Sequence, residues 1–150
     1  MNIAVGCLLV VVTTAIHAMA MVIAIKALER AHARHWVHSA WARVTIVATL
    51  VLIMFLATLI ESALWAATYD ILGALSDFDE AFYFSTVTYT TLGFGDITLR
   101  APWRVLSSLE AANGIIMFGW STAVIMAVVQ RVYFPHPGHA NPPPQEGPDV

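Results

Sequence analysis

Thr90-Thr91-Leu92-Gly93-Phe94-Gly95-Asp96 is the run in this 150-residue chain whose residue types and spacing form a chemical device. Two glycines flanking one large residue let the backbone take dihedrals closed to other residues, so successive carbonyls can point the same way. The product is a ladder of oxygens with the hydroxyl of Thr91 at its inner end. If several chains surround one axis, the ladders become rings that can replace the water shell of a dehydrated monovalent cation. Such chemistry is non-covalent: an ion is held, handed on and released.

The run resembles the T-x-G-[YF]-G-D signature of the potassium-channel pore-domain family, with Phe94 in the variable aromatic position and Trp103 seven residues after Asp96. The likeness extends over roughly Ala42 to Tyr133. It implies a small prokaryotic potassium channel that conducts passively, with a selectivity filter of Thr91, Leu92, Gly93, Phe94 and Gly95. Potassium ions would be held at Thr91, Leu92, Gly93 and Phe94 as permeant ligand, with no other cofactor, no enzymatic activity and no nucleic acid. One filter copy per chain implies a homotetramer. In some bacterial relatives a glutamate nine residues before the filter aspartate shares a proton with it, and the voltage-gated branch has a tryptophan there. Val87 stands at that position here. Tyr83, four residues earlier, shares its helix face and can donate to a carboxylate. Thr90, Tyr83, Val87 and Asp96 are therefore the expected filter support, with a Tyr83 to Asp96 bond in place of the glutamate. Further on, Gly114-Ile115-Ile116-Met117-Phe118-Gly119 is similar to the glycine-containing inner-helix segment of bacterial potassium channels, one residue closer to the filter. The correspondence implies that Ile115, Phe118 and Thr122 face a cavity and that Met126 and Val129 continue that face to a constriction. Gly114 and Gly119 are hinge candidates or, alternatively, places of close helix packing.

The elements that must position this loop follow from composition. With 59% hydrophobic and 11% charged residues the chain is far from a soluble protein's balance. The expected fold is an all-α membrane protein: three transmembrane helices, with a re-entrant pore helix and filter loop between the second and third. Ile3 to Ile25 carries no charge and is long enough to span about 30 Å of hydrocarbon. Residues 1–27 therefore read as an extra first span. A cleaved signal peptide, suggested by Ala18-Met19-Ala20, is disfavoured because no basic segment precedes the apolar run, which also continues past that site. Residues 44–133 form the expected pore domain: outer helix 44–69, pore helix 78–90, filter 91–96 and inner helix 103–132. Asp77 followed three residues later by Glu80 resembles a capping box opening the pore helix. A dozen residues reach only about 18 Å, so that helix must re-enter.

Residues 28–43 form a basic loop, and with Lys26, Arg30, Arg34 and Arg43 against Glu29 in this region the positive-inside rule places it in the cytoplasm of an inner-membrane protein. The N-terminus is then outside and the C-terminus cytoplasmic. His32, His35 and His38 resemble a metal cluster that no cysteine or carboxylate completes; a solvated interfacial helix explains them as well. Residues 134–150, rich in proline, read as a disordered tail. His17 in mid-span is expected to bond a neighbouring helix, with proton sensing as the sharper alternative. Glu61 is expected to face protein as a brace against the pore helix or the inner helix, near Glu110 and Asn113. Cys7 reads as a small packing residue, with pairing between subunits as the alternative. Two rival functions use the same residues: a weakly selective monovalent cation channel on this fold, or a subunit of an ion transporter.

Overall fold

The computed structural model describes residues 2–33 and 39–134. Four α-helices follow in chain order: α1 (Asn2–Ala33), α2 (Ala40–Ile71), α3 (Phe78–Tyr89) and α4 (Arg104–Tyr133). α1, α2 and α4 are each long and apolar enough to cross a membrane, so the protein is an all-helical, multi-pass membrane protein. The short α3 packs against α2 and α4, and α1 packs against α2 and α4 from another side.

The helix ends depart from the expected ones for physical reasons. α1 does not stop near residue 27 but continues to Ala33, because Lys26, Glu29 and Arg30 end the apolar run without interrupting the backbone ladder; all three are good helix formers. The basic loop expected over 28–43 is thus helical at both ends, since α2 starts at Ala40. Trp103, expected as the first residue of the inner helix, is instead the N-cap of α4, with Pro102 in the turn ahead of it. The readings of His35, His38, the side chain of His32 and the tail over 135–150 lie outside the described residues.

Two apolar clusters hold the bundle together. One gathers Leu9, Trp65, Ala66, Tyr69, Ala81, Phe84, Tyr89, Leu99, Leu106 and Met117; the other joins Ala24, Leu28, Leu50, Met54, Val128 and Val132. Between them along the helices lies a layer of buried polar groups: Thr13 and His17 of α1, Thr58 and Glu61 of α2, and Asn113 and Ser121 of α4. The buried face of α1 recurs at helical spacing through Leu9, Thr13, His17, Ala24 and Leu28. Cys7 falls off that face and is exposed, so it does not pack inside the protomer as expected. Leu8, Val11, Met19 and Ile23 of α1, with Leu52, Phe55 and Ile60 of α2, face outward and give the protomer an exposed apolar surface.

Candidate functional site

α3 starts and stops on local chemistry. Asp77 is its N-cap, and the Glu80 amide donates to Asp77 Oδ1 at 2.9 Å. Glu80 Oε2 reaches back to the Ser76 amide at 3.2 Å, one residue earlier than in the usual capping box. At the other end, the Thr91 amide donates to the Thr88 carbonyl at 2.9 Å and the Leu92 amide to the Val87 carbonyl at 3.0 Å. This is the Schellman pattern, which requires a left-handed residue just past the helix. That residue is Thr91, at φ 59°. A β-branched side chain in this region is uncommon and costs about 1–3 kcal/mol. The Gly93 amide adds a second bond to the Val87 carbonyl at 3.2 Å. The hydroxyl of Thr90 turns back to the Thr86 carbonyl at 2.7 Å.

The loop beyond is exposed from Thr91 to Asp96. Its φ is positive at Thr91, Gly93 and Gly95, with values of 59°, 55° and 79°, and not at Leu92 or Phe94 between them. Every second residue is thus left-handed, and two of the three are glycine, which takes that conformation without strain. Nothing lies near the place a Cβ would occupy on Gly93 or Gly95, so their requirement is one of backbone angle alone. Tyr83 Oη donates to Asp96 Oδ2 at 2.7 Å, the contact expected from the register of α3. The bond holds the Asp96 carboxyl below its ordinary value of 3.8 and pushes the Tyr83 phenol above its ordinary 10.0. A recess of about 240 Å³ between α3 and the loop is lined by Tyr83, Val87, Gly93 and Asp96 among others.

Behind α3 buried polar groups form two hydrogen-bonded sets, one about Glu61 and one about Glu110. Tyr89 Oη donates to Glu61 Oε2 at 2.7 Å, and Glu61 Oε1 lies 3.0 Å from His17 Nδ1. His17 Nε2 is 3.0 Å from Ser121 Oγ. Asn113 Nδ2 donates to Thr13 Oγ1 at 2.7 Å and approaches Tyr89 Oη at 3.4 Å. A second carboxylate, Glu110, accepts from Tyr69 Oη at 2.7 Å and from Ser85 Oγ, whose oxygen also meets the Ser62 carbonyl at 2.7 Å. Glu61 and Glu110 are wholly buried, and each oxygen of both has a partner, the condition for tolerating a carboxyl group at membrane depth. Glu61 thus braces the back of α3, one of its two expected targets. Its other partner is α1, through the interhelical bond expected of His17.

On α4, Ile115, Phe118, Thr122 and Met126 lie on one exposed face of the protomer, and Val129 at its far end is half-buried. A Cβ on Gly114 would sit 1.9 Å from the carbonyl oxygen of Tyr89. Gly114 is therefore where α4 and the end of α3 approach most closely, inside an unbroken helix; packing accounts for it within the protomer. Gly119 has open space around it.

Three membrane-length helices, a short fourth helix and a glycine loop at its end define an all-helical membrane protein. A family model described as Ion channel matches residues 44–131, more than half of the chain, and the protein belongs to this family, the two-span potassium channel family. The match takes in α3, the loop and nearly all of α2 and α4, and leaves α1 outside. No curated protein and no solved structure matches the chain.

Proposed function

We propose that this ion channel is a potassium-selective, passively conducting homotetramer whose filter is Thr91 to Gly95. The observation that carries the reading is the alternation of φ sign along an exposed loop directly after a helix end. With every second residue left-handed, successive carbonyls turn to one side, and four such strips about an axis supply stacked oxygen rings for a dehydrated ion. α3 is then the re-entrant pore helix, α2 the outer and α4 the inner helix. Irregular backbone at membrane depth is tolerated where it lines a water-filled path. The C-terminal end of α3 carries partial negative charge, which favours a cation in the cavity below the filter. Ile115, Phe118, Thr122, Met126 and Val129 line the route from that cavity, and the carboxylates of Asp70, Asp77, Asp79, Glu80 and Asp96 enrich cations at the outer mouth.

Flux from liposomes containing the full-length protein tests the selectivity: potassium efflux well above sodium efflux is expected, and equal fluxes make the protein a weakly selective channel. Native mass measurement is expected to give four chains; a monomer overturns the assembly. Labelling of cysteines placed at residue 2 and in the tail is expected from opposite sides of the membrane, with the N-terminus outside.

A further inference from the structure

We propose that α1, the helix outside the matched family region, positions the filter through one buried relay, His17 to Glu61 to Tyr89. The proposal rests on the loop after Tyr89 being the filter. Tyr89 is the last residue of α3, two positions before Thr91. It is held in two places: at its backbone, where Gly114 leaves room only for a hydrogen against the carbonyl, and at its hydroxyl, by Glu61 at 2.7 Å.

Glu61 alone does not fix that hydroxyl, because a carboxylate on a side chain with three rotatable bonds can swing. His17 removes this freedom by holding the other oxygen at 3.0 Å from across α1. With Glu61 as a carboxylate both of its oxygens accept, so Nδ1–H donates to it, and the ring's Nε2 accepts from Ser121 Oγ. Ser121 and the Trp120 ring, whose centroid lies 5.6 Å from that of His17, fix the imidazole in turn. Thr13, one turn away on α1, takes the Asn113 amide that also faces Tyr89 Oη. His17 is thus a positioning residue two hydrogen bonds from the helix end that turns into the filter; it touches no ion.

The position of each nitrogen gives the test its discrimination. His17→Asn keeps a donor at the δ position, opposite Glu61, whereas His17→Gln keeps one at the ε position, opposite Ser121. Hydrogen–deuterium exchange is read on the assembled full-length protein, at the amides of Leu92 and Gly93, both bonded to the Val87 carbonyl. His17→Leu and His17→Gln are expected to speed their exchange roughly three- to tenfold, the range one interhelical bond in a membrane protein is worth. His17→Asn is expected to leave it near wild type. In a Tyr89→Phe background, His17→Leu is expected to add nothing further.

Unchanged filter exchange in His17→Leu, equal effects of Asn and Gln, or additive effects of His17→Leu and Tyr89→Phe would each overturn the relay. If His17→Leu does not assemble, the Asn and Gln pair still decides. Wild-type potassium flux is measured alongside. Absent flux with the expected exchange pattern sinks the channel reading and leaves the relay standing; normal flux with an unresponsive loop does the reverse.

Discussion

α3 carries the same bond twice, once from its middle and once from its last residue, in opposite surroundings. Tyr83 donates to Asp96 and Tyr89 donates to Glu61, each at 2.7 Å, yet Tyr83 is 42% exposed and Tyr89 fully buried. At Tyr83 water can replace either partner, and the bond chooses among loop positions without holding the fold. At Tyr89 both partners are buried from solvent, so an unmade bond leaves a carboxyl oxygen unsatisfied. One tyrosine–carboxylate pair therefore belongs to the tuning of the loop and the other to the integrity of the bundle.

The comparison is broken most severely at Gly114. Gly114→Ala places a methyl carbon 1.9 Å from the Tyr89 carbonyl, and backbone cannot step aside as a side chain can. Loss of the proposed tetramer on size exclusion is expected, whereas Gly119→Ala, with open space around it, is expected to assemble normally. Next in size, Tyr89→Phe strips a donor from Glu61 and is expected to lower the stability of the assembly by about 1–3 kcal/mol, seen as a lower thermal midpoint in detergent. Gly95→Ala sits at φ 79° in open space; assembly is expected to survive while selective potassium flux is lost. Tyr83→Phe is expected to leave the thermal midpoint unchanged and to speed loss of current during sustained opening.

The smallest effect sharpens the contrast through pH. Asp96 has a depressed folded value, caused first by the Tyr83 bond. Its contribution is present above the ordinary carboxylate value and is lost as pH falls through the lower folded one. In Tyr83→Phe the acid limb of sustained current is expected to move to higher pH; an unmoved limb in recordings at graded external pH would show that the bond does not govern Asp96.

The loop conformation was legible because glycine spacing states a backbone requirement directly, and the Tyr83 to Asp96 contact because the family resemblance implies a partner for Asp96 at the Val87 position, about one helical turn from Tyr83. Of the two buried carboxylates, Glu61 was legible as a group that had to face protein, while Glu110 was read only as a neighbour at similar depth. Their partners were not legible. Neighbouring positions on a helix point about 100° apart, so depth along α2 and α4 does not decide whether Glu61 meets Glu110, Asn113 or α1. The packing gives Glu61 to His17 and Tyr89, and Glu110 to Tyr69 and Ser85. Thr91 at positive φ was illegible for a different reason. Side-chain preference argues against it, and it arises only because the Thr88 and Val87 carbonyls at the end of α3 take their donors from the loop amides. The end of α1 was misplaced because charge reports where burial in lipid stops, not where a helix does.

The polar layer also bears on how the chain is made. A ribosome delivers α1 before α2 and α4, so His17 and Thr13 precede Glu61 and, later, Asn113. A carboxylate entering hydrocarbon alone costs about 2.5–3.5 kcal/mol by insertion scales; one that meets a waiting imidazole enters partnered. A version started after residue 39 would send Glu61 into lipid without the His17 partner of its Oε1.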